Sequence, residues 1–412
     1  MIFRARMLVT MAGPPIENGA ISISEDRIVD VGRFDDVKAR HPAEVVDLGE
    51  QTLLPGLING HCHLDYTCLR GRIPVQKSFT DWIRAINAAK TDLSRKDYLA
   101  SIREGFAEAK RFGTTAILNL TAFPGLIARI APMMRTWWFP ELIDVREPDR
   151  TEEIVEFAVD SSRAAENWGF APHALFTASG NLYRRCESIA RNATALLTTH
   201  LAESAEEMSM FRDAAGVLYD FLKDIGRDVS DCGHETPLGR FFSARGSVNS
   251  RVAARTDTDW IVAHLNELAE SDFDLLAKST SRFHVVHCPR SHKYFGHAPF
   301  QFDRLRELGF NICLGTDSLA SNADLSLFAE MRQFHEHYPH VPAEKILSMV
   351  TVNPARALGK PHLLGRIRPN SFADLIAIPV SSSLEDIFDE VIAFDGTATF
   401  SMIGGERETW KA

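Results

Sequence analysis

The chain has 412 residues, of which 45% are hydrophobic, and this length suits a barrel of about 250 residues together with an accessory domain. Its formal net charge of −10, without long basic runs, argues against nucleic acid or an anionic membrane as the main partner and leaves a small molecule. Six cysteines lie scattered without a CxxC pair, which predicts reduced thiols in a cytoplasmic protein. The sequence leaves the oligomeric state open, and a homo-oligomer is possible.

The predicted elements change in character twice along the chain. Residues 1–54 contain short strands and turns, and strands and turns return after about residue 360. Between these ends, apolar strand-like runs alternate with helix-length amphipathic segments. The predicted strands are 20–24, 27–31, 45–47, 116–120, 142–145, 174–177, 195–199, 260–263, 284–287, 311–314, 374–378, 390–394 and 399–403, and the predicted helices are 96–112, 152–167, 205–225 and 343–358.

This order of elements predicts an α/β fold. Alternating strands and helices over about 300 residues indicate a parallel sheet, and roughly eight such units indicate a closed (β/α)₈ TIM barrel. We place the barrel at residues 55–359. The two ends, 1–54 and 360–412, are each too short for a stable sheet, so we expect them to pair into one small β-sandwich domain beside the barrel.

Two histidines follow the first strand-like run of the predicted barrel. His61 and His63 are two residues apart, so in a strand both imidazoles point to the same face and can bind one ion. The carboxyl ends of the strands carry the active sites of TIM barrels. Taken alone, the pair is equally consistent with two loop histidines.

A second motif, HLAE, ends the predicted strand at 195–199. His200 can supply a third nitrogen ligand, and Glu203 can return over the site as an acid/base that does not bind the metal. The alternative for Glu203 is the first turn of the following helix, where a carboxylate interacts favourably with the helix dipole.

Three further polar residues end later strand-like runs. Asp317 can bind the metal or orient its water, and the alternative is a helix N-cap. His264 and His287 can each polarise a carbonyl, a ring nitrogen or a leaving group, or serve as buried histidines of the barrel mouth. The order HxH, HxxE, His, His and Asp, always at strand ends, predicts a hydrolytic metal site.

The distribution of lysines and histidines refines this prediction. No lysine lies between Lys110 and Lys223, so a carbamylated lysine cannot bridge two metals on the middle strands, and a mononuclear site is predicted. His335, His337 and His340 lie at the end of an amphipathic helix, and we interpret them as a solvated surface cluster.

These motifs resemble those of the amidohydrolase superfamily, in the group of deaminases and chlorohydrolases that includes S-adenosylhomocysteine, methylthioadenosine, guanine and aminodeoxyfutalosine deaminases. The similarity covers nearly the whole chain. The similar segments are LPGLINGHCH at 54–63, LDYTCLRG at 64–71, APH at 171–173, HLAE at 200–203, HCP at 287–289, GTDSLASN at 315–322, ARALG at 355–359 and GRIRPNSFADLIAI at 365–378.

The resemblance implies a function and a set of roles. The expected reaction is hydrolytic deamination of an adenine-containing nucleoside or analogue, in which Asp317 takes a proton from metal-activated water, Glu203 protonates the ring nitrogen and ammonia leaves. Glu203 and His264 would be catalytic, and His173 would help to hold the substrate. One divalent metal, zinc with Fe²⁺ or Mn²⁺ as alternatives, would be bound by His61, His63, His200 and Asp317.

One segment departs from the family pattern. Where the family usually has an Asn after HCPxS, this chain has His292, flanked by Arg290 and Lys293. Three potential cations at the barrel mouth suit a negative substituent, such as the benzoate of aminodeoxyfutalosine, which Arg290 and His292 would bind. In the alternative, Arg290 pairs with a neighbouring acid and stabilises the loop.

Two other functions stay open at this point. The same ligands serve hydrolases that act on guanine, dechlorinate a triazine or hydrolyse a cyclic amide, because the metal ligands do not determine the leaving group. A barrel kept as a non-catalytic scaffold would have lost ligands, whereas this chain retains every ligand of the pattern.

Overall fold

The computed structural model describes residues 1–245, 260–279 and 282–408. Its strands are β1 (Ile2–Leu8), β2 (Ile16–Ser24), β3 (Arg27–Arg33), β4 (Val45–Asp47), β5 (Gln51–Pro55), β6 (Leu57–His63), β7 (Thr114–Thr121), β8 (Arg135–Leu142), β9 (Asn167–Pro172), β10 (Leu196–Leu201), β11 (Trp260–His264), β12 (His284–His287), β13 (Asn311–Leu314), β14 (Asp317–Ser318), β15 (Leu375–Pro379), β16 (Phe400–Ile403) and β17 (Glu406–Glu408).

Helices follow most strands of the middle part. They are α1 (Phe34–Arg40), α2 (Phe79–Lys90), α3 (Arg95–Arg111), α4 (Thr151–Ser162), α5 (Gly180–Ala193), α6 (Ala205–Asp213), α7 (Val217–Asp224), α8 (Pro237–Ala244), α9 (Glu270–Lys278), α10 (Pro289–Phe295), α11 (Phe302–Glu307), α12 (Leu327–His337), α13 (Ala343–Ser348), α14 (Val352–Ala357) and α15 (Ile387–Ala393). Short 3₁₀ helices occupy Leu64–Leu69, Pro124–Arg129 and Pro148–Arg150.

The larger sheet is parallel and curls round to its starting point. Its order is β13-β12-β11-β10-β9-β8-β7-β6-β14, and β14 begins only two residues after β13 ends. β14 pairs with β6, with Asp317 opposite Cys62 and Ser318 opposite His63. β6, β7, β11 and β12 are buried at every position, as expected for parallel strands covered on both faces. The architecture is that of a TIM-like barrel.

The junction between the first and last barrel strands is unusually close. A Cβ atom at Gly315 would lie 2.7 Å from the backbone oxygen of His61 and 2.8 Å from its nitrogen, so only glycine fits without a shift of β6. The backbone N–H of Thr316 donates to the His61 carbonyl at 3.1 Å and to Asn59 Oδ1 at 3.1 Å. Asn59 Nδ2 donates in return to Thr316 Oγ1 at 2.7 Å. These contacts hold the metal-ligand candidates of β6 beside those of β14.

Strands from both chain ends form the smaller sheet. Its order is β17-β16-β15-β5-β1-β2-β3, with β4 alongside β1. β5 lies between β1, with which it runs parallel, and β15, with which it runs antiparallel. The two ends therefore share one sheet, whereas a division into the two layers of a sandwich is not confirmed.

The smaller sheet is fixed to the barrel at the amino ends of the barrel strands. Gly56 separates β5 from β6, and a Cβ atom there would overlap the side chain of Thr115. Arg135, the first residue of β8, forms an ion pair with Asp374 at 2.6 Å, and the backbone N–H of Gly404 donates to the same carboxylate. The barrel mouth, at the opposite strand ends, stays free for a site.

Two predicted strands of the barrel were placed too far along the chain. β8 ends at Leu142, so only the first residue of the run 142–145 belongs to it, and 174–177 lies beyond β9, which ends at Pro172. The side chains after these strand ends are partly buried in the barrel mouth, so the apolar run continues past the strand.

Several predicted helices were also wrong in extent or type. In the stretch 152–167, the helix α4 ends at Ser162. The stretch 205–225 is divided into α6 and α7, because the backbone between them is left-handed at Ala214, with φ 50°. The stretch 343–358 is likewise divided between α13 and α14. The run 390–394 is expected to be a strand, but its first four residues lie in α15 and the fifth is the C-cap of that helix. The buried Ile387 and Val391 of α15 have the spacing of a helix.

The structure also bears on the histidine cluster, the cysteines and membrane helices. At the end of α12, His335 is half-buried and both His337 and His340 are exposed. The six cysteines are free thiols. Within the three described stretches of chain, no helix combines the length and the apolar character needed to cross a bilayer.

Gly315→Ala should destabilise the protein, because its methyl group would meet backbone atoms of β6 that cannot move without opening the barrel. We expect a loss of about 1–3 kcal/mol in the free energy of unfolding, the usual cost of overpacking. Urea denaturation followed by circular dichroism measures it. Gly13→Ala is the matched control, since no atom lies within 4 Å of its Cβ position. Equal unfolding midpoints for the two variants would contradict the tight junction.

Candidate active site

Three imidazoles at the ends of two barrel strands converge on one point. Nε2 of His63 lies 3.2 Å from Nε2 of His61 and 3.2 Å from Nε2 of His200. Burial lowers the pKa of all three rings, so they are neutral at pH 7. Nδ1 of His200 donates to the carbonyl of His173 at 2.8 Å, which leaves its Nε2 as a lone pair facing the other rings.

Asp317 completes this cluster from β14. Its Oδ1 lies 3.7 Å from Nε2 of His63 and 3.9 Å from Nε2 of His61. The Ser291 hydroxyl donates to Oδ2 at 2.6 Å, and the Ser318 backbone N–H donates to Oδ1 at 2.8 Å. α12 begins only at Leu327, so Asp317 is not a helix N-cap.

The donor set fits a divalent cation. The three buried nitrogens of His61, His63 and His200 lie close together. A neutral imidazole has only one N–H donor, so these nitrogens cannot all be satisfied by hydrogen bonds to one another. A cation placed among these lone pairs and the Asp317 oxygen would satisfy them all. Three nitrogens and one carboxylate oxygen are the ligands of a mononuclear zinc-type site.

The chain leaves three barrel strands through left-handed backbone conformations. φ is 50° at Ala202, 73° at His264 and 56° at Asp317, a region that residues other than glycine rarely adopt. Each such residue costs of order 1–3 kcal/mol and is typical of functional sites. These sharp turns bring the side chains that follow β10, β11 and β13 over the barrel mouth.

Glu203 faces the cluster beside His264. Its Oε1 lies 3.8 Å from Nε2 of His264, and that nitrogen has no hydrogen-bond partner among the described residues. The Glu203 backbone N–H donates to Glu207 at 2.8 Å, and its carbonyl accepts from Asn266 at 3.1 Å. α6 begins after the N-cap Ser204, so Glu203 precedes the helix. Burial, followed by the charge of Asp317, raises the pKa of Glu203 and favours its protonated form.

A cavity of about 210 Å³ opens above the cluster. Its wall combines apolar and aromatic side chains with the polar groups of the cluster, as in sites for flat heterocycles. The apolar and aromatic side chains of the wall are Tyr66, Phe79, Trp82, Ile83, Ile86, Ile143 and Phe176.

His173 lies in the cavity wall next to a carboxylate that the sequence did not reveal. Its Nε2 is 3.8 Å from Glu141 Oε1, which is 3.6 Å from Nδ1 of His63. This carboxylate oxygen has no hydrogen-bond partner in the described chain, and burial raises the pKa of Glu141. Glu141, His173 and His200 form a second group whose ligand atoms lie close enough together to bind one metal ion. Because β8 was placed beyond residue 141, the lone acid in its buried run was overlooked.

His287, by contrast, is a buried histidine outside the cavity wall. Its ring stacks on Phe300 with centroids 4.1 Å apart and planes 5° from parallel. Of the two candidate histidines at strand ends, the structure therefore brings His264 to the cluster and leaves His287 in the packing.

The three side chains of the expected basic rim, Arg290, His292 and Lys293, all contact neighbouring protein groups. Arg290 donates to the carboxylate of Asp324 at 2.6 Å, which is the alternative of pairing with a neighbouring acid. Lys293 donates to Gln333 at 2.8 Å. None of the residues from 290 to 293 belongs to the described wall of the cavity.

His292 is predicted to contact the substrate, and in the structure its ring contacts Asn266. Its Nδ1 lies 3.0 Å from Oδ1 of Asn266, and the same amide holds the carbonyl of Glu203. Burial lowers the pKa of His292 to about 4, so the ring carries no charge at neutral pH. His292 therefore lies behind Glu203 and outside the described wall of the cavity.

Several known proteins are similar to this chain in sequence or in fold. The 5-methylthioadenosine/S-adenosylhomocysteine deaminase of Nitratidesulfovibrio vulgaris is 29% identical over 433 residues, covering 98% of this chain and 90% of that protein. A zinc-bound adenosine deaminase from Xanthomonas campestris has 24% identity and a TM-score of 0.79, covering 99% of this chain and 92% of that one. Helicobacter pylori aminofutalosine deaminase, in complex with methylthio-coformycin, has 19% identity and a TM-score of 0.84 over 99% of both chains.

These structural likenesses concern the fold, and the sequence pattern of the family settles membership. The pattern of the amidohydrolase family matches residues 52–407, which include both sides of the barrel junction and every residue of the cluster. This chain belongs to the amidohydrolase family.

Proposed function

We propose that this amidohydrolase catalyses the hydrolytic deamination of an adenine-containing nucleoside or nucleoside analogue. As a member of this family, the chain is a hydrolase of carbon–nitrogen bonds. The observation that carries the proposal is the cluster of His61, His63, His200 and Asp317 beside a buried Glu203, below an apolar cavity. A relative named for deamination of methylthioadenosine and S-adenosylhomocysteine supports the substrate class. Aminodeoxyfutalosine belongs to the same class.

The cluster would hold one divalent ion, with zinc as the first candidate because a similar adenosine deaminase contains it. Such an ion supplies the Lewis acidity that makes a bound water nucleophilic at neutral pH. Its ligands would be His61, His63, His200 and Asp317.

Asp317 and Glu203 divide the proton transfers in this proposal. Asp317, held by Ser291, accepts a proton from the attacking water. Glu203, kept protonated by burial, donates its proton to the ring nitrogen beside the amidine carbon. The proton on Asp317 then passes to the exocyclic amine, which leaves as ammonia. The proton of the added hydroxyl returns to Glu203 as a carbonyl replaces the carbon–nitrogen bond.

Two histidines assist these residues. His264 lies within reach of Glu203 with a free Nε2, so it can donate to the oxygen that becomes the carbonyl. His173 fixes the ring of His200 through its carbonyl and presents its own ring to the cavity, where it can contact the substrate. His292 holds Glu203 in place through Asn266.

Purified protein should contain about one divalent ion per chain, as a mononuclear set of ligands requires. Mass spectrometry of metals measures it. His61→Ala and His200→Ala should both lose the ion, whereas Glu141→Gln should keep it, because Glu141 belongs only to the second group. Two tightly bound ions in active enzyme would refute the mononuclear site. If Glu141→Gln lost the ion and His61→Ala kept it, the ion would be bound by the second group instead.

Glu203→Gln should keep the metal and lose turnover. The amide preserves the shape of the side chain but cannot shuttle a proton, so we expect kcat to fall by roughly two to four decades. Steady-state kinetics and metal content are measured on the same preparation. Glu153→Gln, on the exposed face of α4, is the control and should match the wild type. If activity of Glu203→Gln stays within about threefold of the wild type, Glu203 is not the acid/base.

A panel of substrates tests the reaction itself. We expect ammonia release from at least one of adenosine, methylthioadenosine, S-adenosylhomocysteine and aminodeoxyfutalosine by the metal-loaded protein. Guanine, a chlorotriazine and a cyclic amide are the comparison compounds. Turnover of these alone would favour another hydrolase on the same site, and turnover of nothing in the panel would favour a binding scaffold.

A further inference from the structure

One ammonium group in the cavity wall has no role in the proton transfers. Lys90 is the last residue of α2 and lines the cavity. Its Nζ lies 4.3 Å from the centroid of the Tyr66 ring. Across the described residues it forms neither a hydrogen bond nor an ion pair, so all three of its N–H donors are available to a ligand.

No other fixed positive side chain serves this cavity. Among the described residues of the wall, Lys90 is the only lysine or arginine. The histidines of the wall are neutral, because burial lowers their pKa values. Arg290 and Lys293, which the sequence suggested for this purpose, are engaged by Asp324 and Gln333. An anionic group in the cavity can therefore pair with Lys90 or with a metal ion.

The helix that carries Lys90 also forms an apolar wall of the cavity. Phe79, Trp82, Ile86 and Lys90 recur at the spacing of one helix face, and all of them line the cavity. A substrate whose ring lies at the His61 cluster would lie against this face, which also carries the ammonium.

We propose that Lys90 selects substrates that carry a carboxylate on the substituent remote from the reacting ring. The inference rests on the proposed function, because it takes the reacting ring to lie at the metal cluster. A partly buried ammonium that forms no hydrogen bond and no ion pair among the described residues is unfavourable, and a ligand carboxylate supplies both.

A structural role for Lys90 makes a different prediction. Burial lowers the pKa of Lys90, and the charges of Glu141 and Asp65 act against that shift, so these carboxylates lie near the ammonium. Asp65 already accepts from Ala122 at 2.8 Å and from Thr121 at 3.0 Å. If Lys90 only balanced these charges, its removal would affect neutral and anionic substrates equally.

The test compares 5′-carboxymethylthioadenosine with the matching carboxamide, which differs from it in charge and hardly in shape. In the wild type, kcat/KM should favour the carboxylate. Lys90→Met should lower kcat/KM for the carboxylate by about tenfold to hundredfold, mainly through KM, and change the carboxamide by less than about threefold. Lys90→Arg should restore the preference. Lys96→Met, which removes an exposed lysine from α3, is the control.

Three outcomes would overturn the inference: equal losses on both compounds, no preference in the wild type, or a preference that survives in Lys90→Met. Isothermal titration calorimetry of the metal-loaded protein separates this inference from the proposed function. If neither compound and none of the four nucleosides of the panel releases ammonia, the proposed deamination fails. Tighter binding of the carboxylate than of the carboxamide, lost in Lys90→Met, would then still support Lys90 as the selecting residue.

Discussion

The junction between the first and last barrel strands is the constraint on which the site depends. Gly315 lets the backbone pass against β6, and the paired hydrogen bonds of Asn59 and Thr316 fix the register there. That register places Asp317 opposite Cys62, between His61 and His63. Because the two sides of the junction are far apart in the chain, the cluster exists only once the barrel has closed.

The site contains polar groups that lack hydrogen bonds and a strained backbone. A bound cation and a substrate would supply the missing interactions of the polar groups. Three neutral imidazoles crowd together, Oε1 of Glu141 is buried without a hydrogen-bond partner among the described residues, and Asp317 has a left-handed backbone. Such features lower the stability of the free protein and are retained where function needs them. A bound cation would turn the crowded nitrogens into ligands, so binding and stability are expected to be linked.

The sequence predicts the parts of this structure that depend on local pattern. HxH in a strand and polar residues at strand ends indicated the cluster because strand periodicity fixes which side chains share a face. Contacts between distant segments could not be predicted: Arg290 meets Asp324, and Lys90 reaches a cavity formed by other strands. Glu141 was overlooked because apolar residues continue past the end of β8. Residues 390–394 are too few to separate helix from strand.

The location of the cation tests the central claim most directly. Crystals of the zinc-loaded protein, measured at the zinc absorption edge, would give its position from anomalous scattering. We predict one strong peak at about 2.0–2.2 Å from Nε2 of His61, His63 and His200 and from an oxygen of Asp317. A peak held by Glu141 and His173 instead, or no peak at the cluster in active protein, would contradict the claim.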